Sequence, residues 1–178
     1  MGQTMGRIPY RKPPKKVVAS AALIALLGGG AAYLSLDTVA DFEGYVPEGY
    51  RDPVGIPTKC WGDTRNVTIG QEYSFEECSR SLNEHLYENA LPVTRCVDDF
   101  DSLPDKTKAA LVSMAYNIGP TAFCKSSVAR YFNQGRKERG CRRIAEIYKT
   151  AKGQALPGLE RRRAYESAMC LRGLQEGK

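Results

Sequence analysis

Between Val17 and Leu36 the chain runs for twenty positions without a charged residue. As one helix, this run is just long enough to cross a hydrocarbon core of ~30 Å. Its composition is unusual for an anchor, because nine of the twenty residues are Gly or Ala, including Gly28-Gly29-Gly30-Ala31-Ala32. Residues 1–16 in front of it are proline-rich and carry Arg7, Arg11, Lys12, Lys15 and Lys16 with no acid. That segment reads as a disordered, basic cytoplasmic tail, which directs everything after Leu36 outward. Three fates fit residues 17–36: cleavage near Gly30 to Ala32, a permanent anchor packed through small residues, or a marginal anchor that leaves the bilayer. After leaving, the segment needs a new home against the domain, or it stays an exposed apolar patch.

Residues 37–178 are enough for one ordinary domain. The formal charge of the whole chain is +6, a balance that invites a nucleic-acid reading until its distribution is seen. The N-terminal cluster holds most of the excess, and the remainder splits into an acidic stretch to residue 124 and a basic one beyond it. A basic half suits an anionic polymer such as a cell wall. No helix-turn-helix, zinc spacing or RNA-binding signature is visible, so no nucleic-acid partner is expected. Six cysteines, none in a C-x-x-C pair, and a single histidine, His85, exclude a clustered metal site and favour three disulfides in an oxidising compartment. Their connectivity is open; proximity along the chain suggests Cys60–Cys78, Cys96–Cys124 and Cys141–Cys170.

The chemistry is concentrated between Glu43 and Thr64. D-T-V-A-D-F-E reads as a short helix with Asp37 as N-cap and Gly44 as its stop, which puts Glu43 on the last turn. Gly44, Pro47, Gly49, Pro53, Gly55 and Pro57 then predict a tight hairpin around residues 50–70, carrying Asp52 and Thr58. Two carboxylates on rigid backbone suit glycosidic hydrolysis: one protonates the leaving oxygen, and the other, with a hydroxyl beside it, holds the attacking water.

Glu43, eight residues, Asp52, five residues, Thr58 is the spacing of phage-type lysozymes (glycoside hydrolase family 24), which the chain resembles. The likeness continues through V-G-I-P-T-K-C-W-G-D-T, Y-N-I-G-P-T-A-F-C-K-S-S and G-L-E-R-R-R-A-Y-E, in family order over residues 37–178. It implies an α+β, lysozyme-like fold: a small β-hairpin lobe, a larger helical lobe and a cleft between them. It also implies cleavage of the β-1,4 bond between N-acetylmuramic acid and N-acetylglucosamine in peptidoglycan. Glu43 would be the general acid, Asp52 would orient or activate the water, and Thr58 would hold it, with no metal or cofactor. Asn117, at the exit of a buried helix, would face the saccharide, or else cap that helix. Ser126, with Ser127, would contact substrate or cap the next helix. One of Arg161, Arg162 and Arg163 would reach Glu43, with Arg162 taken as the candidate; the alternative is a solvated basic face. An arginine there favours the carboxylate, whereas a general acid must keep its proton. The family histidine after the strand glycine is replaced by Asp63, so its ion pair is expected to be absent or reversed in sign.

The N-terminal run resembles the signal-arrest-release (SAR) segment of certain phage endolysins, which favours release over cleavage or permanent anchoring. This implies residues 1–16 as tail, 17–36 as signal-anchor and 37–178 as lysozyme domain. The expected partners are peptidoglycan, the bacterial inner membrane through residues 17–36, and the host Sec export machinery, with the enzyme a monomer. The expected location is the host inner membrane, then the periplasm. Elsewhere, Ser74 and Glu77 predict a capping box and Ser102 to Gly119 a buried central helix, with three further helices in the tail. His85 reads as structural. The rivals are a non-catalytic wall-binding module and a lytic transglycosylase.

Overall fold

The computed structural model describes residues 8, 10–151 and 154–177. The apolar run does not form one helix. Ser20 caps helix α1 (Ala21–Leu27), its Oγ accepting from Leu23 N at 3.2 Å. Gly28, at φ +85°, ends α1, and α2 (Gly29–Glu43) leaves at 112° to it. A side chain is strained at that φ, so glycine is what permits so sharp a corner. Among the described residues no single helix is long and apolar enough to cross a membrane; the α1–α2 pair passes only as a bent span. Both helices and the segment before them instead feed the core: Val17, Ala19, Leu23, Leu27, Ala31, Ala32, Leu36 and Val39 are all buried.

Two local expectations change with this. Asp37 is not an N-cap but lies inside α2, its carboxylate on Lys16 Nζ at 3.2 Å. The N-cap is Gly28, nine residues earlier than Asp37, because burying the Gly/Ala/Leu face outweighs a local capping signal. The described part of the basic tail is also ordered. Arg11 N–H donates to Tyr45 O at 2.8 Å, and Lys15 pairs with Glu76 at 3.0 Å. Residues 1–7 and 9 lie outside the described residues.

Gly44 stops α2 as expected, at φ +75° with its N–H on Ala40 O. Strand β1 (Val46–Arg51) then pairs antiparallel with β2 (Pro57–Cys60), Tyr50 opposite Thr58. Tyr45, Trp61 and Phe75 pack into one aromatic cluster under this hairpin. The helical lobe starts with α3 (Phe75–Cys96), whose Ser74–Glu77 capping box is complete. The central α4 (Asp105–Ile118) is buried continuously from Thr107 to Ala115. Short helices α5 (Pro120–Cys124), α6 (Ser127–Asn133) and α7 (Lys137–Ile144) follow. A two-residue ladder, β3 (Thr150–Ala151) with β4 (Gln154–Ala155), then leads to α8 (Pro157–Glu176). The described architecture is thus a lysozyme-like α+β fold, with a two-stranded hairpin on a mostly helical body.

The three disulfides are Cys60–Cys78, Cys96–Cys124 and Cys141–Cys170, the neighbour-to-neighbour pairing. They tie β2 to α3, the end of α3 to α5, and α7 to α8. Each contributes roughly 2–4 kcal/mol.

Candidate active site

Glu43 is the last residue of α2, where the chain turns into the hairpin lobe. Arg162 Nη1 lies 2.7 Å from its Oε1; the arginine side chain is 5% exposed and the glutamate 24%. Of the three consecutive arginines only Arg162 makes this contact. Arg163 is fully buried and pairs with Glu166, while Arg161 is exposed. The Arg162 guanidinium also donates to Glu166 Oε1 at 3.2 Å and to Ser113 O at 3.3 Å, and it sits over the Phe42 ring at 5.0 Å. One side chain thereby joins α2, α4 and α8.

Glu166 is wholly buried, accepting from Ser113 Oγ at 2.7 Å and pairing with Arg163 at 2.8 Å. Burial pushes its carboxyl up from the ordinary range, against the pull of Arg163 and Arg162. Arg162 therefore divides its charge between two carboxylates.

The other Glu43 oxygen, Oε2, faces the small lobe, 3.7 Å from where a Cβ on Gly62 would stand. A groove of about 730 Å³ opens at Glu43, lined also by Phe42, Asn117, Leu156 to Leu159, Arg161 and Arg162. Asn117 is exposed in the last turn of α4; the cap of that helix is Gly119. Asp52 follows β1, and its Oδ1 accepts from Val54 N at 3.0 Å and Ile56 N at 2.8 Å, closing the hairpin as an Asx turn. Thr58 is buried on β2, its hydroxyl donating to Ile56 O at 3.0 Å.

The phage lysozyme family model matches residues 40–166 of this chain. The chain belongs to the phage lysozyme family. Among its relatives, the SAR-endolysin of Enterobacteria phage P21 is 31% identical over 86% of this chain and 96% of its own length. The endolysin of Escherichia coli O157:H7 phage FAHEc1 is 29% identical, with a TM-score of 0.70 over 78% of this chain and 90% of that one. The muramidase domain of SpmX from Asticaccaulis excentricus is 28% identical, with a TM-score of 0.69 over 77% of this chain and 94% of that one. Membership makes this phage lysozyme a glycosidase of the endolysin class.

Other candidate residues of this lysozyme stand apart from the groove. Ser126 is buried as the N-cap of α6, its Oγ accepting from Ala129 N at 3.3 Å, and Ser127 Oγ accepts from Arg143 at 2.9 Å. Asp63 forms a polar cluster of its own. It is buried, and it accepts from Ser81 Oγ at 2.5 Å and Arg65 N at 2.9 Å, with His85 Nε2 at 3.5 Å. Burial pushes the Asp63 carboxyl up, but Ser81, the Arg65 N–H and the His85 and Arg65 charges outweigh it and hold it below the ordinary range. His85 is accordingly a structural partner.

Two phenols near Glu43 escaped sequence reasoning. Tyr50 is raised by burial, then by Tyr10, Asp52 and Glu43; Tyr116 is raised by burial, then by Glu43. Tyr50 carried a signal, since it stands two residues before Asp52 and so shares its strand face. Tyr116 carried none beyond its place in an apolar helix.

Proposed function

We propose that this lysozyme is a phage muramidase that hydrolyses the β-1,4 bond between N-acetylmuramic acid and N-acetylglucosamine in peptidoglycan, lysing the host. The reading is carried by Glu43: one oxygen clamped by Arg162, the other turned toward the hairpin lobe, at the mouth of a groove. In this reading Glu43 gives its proton to the glycosidic oxygen as the bond to the anomeric carbon breaks. A water attacks from the opposite face, and Asp52 takes the proton that water loses. Thr58 can only accept from that water, because its own hydrogen is committed to Ile56 O. An acid and a base on opposite faces invert the anomeric centre. Asn117 and Arg161 offer polar contacts along the strand; Ser126, committed as a cap, is the weaker candidate.

The enzyme is further proposed to be exported through the Sec machinery as a monomer, tethered by residues 17–36 in the host inner membrane, and then released to the periplasm. The balance between the two states is physical. Leu23, Leu27 and Leu36 each gain about 1.5–3 kcal/mol on leaving water, whether lipid or protein receives them. The glycines and alanines add little in lipid, but Ala31 and Ala32 pack fully buried in the body. In the tethered form Glu43 would lie about 10 Å past Leu36 on the helix, at the headgroups, where a glycan strand cannot thread.

Glu43→Gln should lower peptidoglycan clearing by about 10²–10⁴-fold in protein that circular dichroism shows to be folded. Asp52→Asn should be nearly as damaging and Thr58→Ala milder. Full activity in Glu43→Gln, or 1,6-anhydro ends in place of free reducing sugars in the digest, would overturn the proposal.

A further inference from the structure

The N-terminal arm lies against the turn that follows Glu43. Arg11 pairs antiparallel with Tyr45 through its N–H, and its guanidinium meets Glu72 at 3.4 Å. Tyr10, one residue earlier, donates its N–H to Ile8 O at 2.9 Å. Its ring rests directly on the α-carbon of Gly44, so closely that a methyl group there would collide with Cδ1 and Cε1. Despite that contact Tyr10 is 58% exposed. An aromatic face is therefore offered to solvent in contact with the residue next to Glu43. The placement extends across the lobe, because Tyr50 feels Tyr10, Asp52 and Glu43 together. Nothing in the packing of the body needs a ring at position 10: it lies outside the Tyr45–Trp61–Phe75 cluster and fills no core space. An aromatic side chain gives a large, stiff contact surface at small entropic cost, with a polar tip that tolerates water. The C–H face of a pyranose ring is a suitable partner for it.

We infer that Tyr10 is a saccharide-stacking residue, and that the arm it belongs to forms one wall of a subsite for an N-acetylhexosamine ring beside Glu43. The inference rests on the muramidase reading for its ligand. It also adds to that reading: residues 10–16 precede the apolar run, so in a tethered chain they lie across the bilayer from the hairpin. The wall is complete only when α1 and α2 have folded into the body.

The test uses the full-length released protein carrying Tyr10→Ala, Tyr10→Phe or Tyr10→Trp. Turnover of soluble glycan strands is measured for each, and binding of tri-N-acetylchitotriose is measured in a Glu43→Gln background. Tyr10→Ala should raise KM and weaken trisaccharide binding by about five- to ten-fold, with kcat within two-fold and melting unchanged; the Phe and Trp variants should match wild type. Unchanged KM and binding in Tyr10→Ala would overturn the subsite. So would a lowered melting temperature with unchanged binding, which marks a purely structural ring. Tighter binding or faster turnover in Tyr10→Ala would also overturn it, because the ring would then be a cover over the cleft. The binding arm involves no hydrolysis, so it decides the subsite even if Glu43→Gln proves fully active and the catalytic reading fails.

Discussion

Asp63 shows how a single substitution within a family pattern is absorbed. Its carboxylate is buried, yet a hydroxyl, a backbone N–H, a guanidinium and an imidazole converge on it. Its proton affinity in the folded state is held below that of the unfolded chain. Its stabilising contribution is therefore fully present above the ordinary carboxylate range, and it is lost as acid protonates the group. His85 acts in the same direction. Burial, foremost, pushes its imidazole down, so below pH ~6.5 the unfolded chain takes a proton that the folded state resists. Asp63→Asn should cost about 1–3 kcal/mol at pH 7, and the gap to wild type should shrink progressively as pH falls below about 4. Thermal melts of both proteins across that range check this; a gap independent of pH would mean that the charge on Asp63 carries no part of the stability.

Between elements, the Arg162–Glu166 clamp is the connection that matters most for Glu43. It draws the end of α2, the middle of α4 and the first half of α8 to one buried point. Glu166→Gln keeps the shape but leaves two buried guanidiniums, at 5% and 0% side-chain exposure, with one carboxylate fewer. Removing one partner of a buried ion pair costs about 3–5 kcal/mol, which for a chain of this length lowers melting on the order of 10 °C. Glycan cleavage at neutral pH should also fall in protein that remains folded, because Arg162, and Glu43 with it, loses the partner that fixes its position. Calorimetry with a turnover assay tests both; wild-type stability together with wild-type turnover would remove Glu166 from any role in holding the site. Part of this region was legible in advance. Gly44 as helix stop, the Ser74–Glu77 box and the buried α4 follow from short-range rules. The choice among Arg161, Arg162 and Arg163 was not, because successive helical residues point ~100° apart and only packing says which way α8 is turned.

For the whole molecule the decisive question is which solvent residues 17–36 occupy. Substitutions that favour lipid without disturbing the body can be chosen from the packing. Gly28 needs its positive φ, and a side chain on Gly30 would run into the Asp105 carboxylate. Ala25 is exposed, and a side chain on Gly29 meets nothing. The pair Ala25→Leu and Gly29→Leu should delay lysis in cells and hold the protein in the membrane fraction. The same protein, purified and folded, should clear peptidoglycan like wild type. Prompt release and lysis by this variant would refute restraint by the membrane, and a product shortened near residue 32 would indicate simple cleavage.

Read by itself, the sequence determined what short-range chemistry controls: a carboxylate at a helix end stopped by Gly44, a turn-dense hairpin bearing Asp52 and Thr58, and cysteines close enough along the chain to pair with their neighbours. It also determined that the leucines of residues 17–36 favour leaving water, because no charge interrupts the run. Tertiary structure decided where they go in the folded body, as two helices bent at Gly28 rather than one span, because lipid and protein core reward apolar burial alike and composition does not distinguish them. It likewise decided that Asp37 sits inside a helix, that Arg162 is the arginine on Glu43, and that Tyr10 packs on Gly44. Each of these depends on groups distant in sequence meeting across a packed interior, where no local pattern reaches.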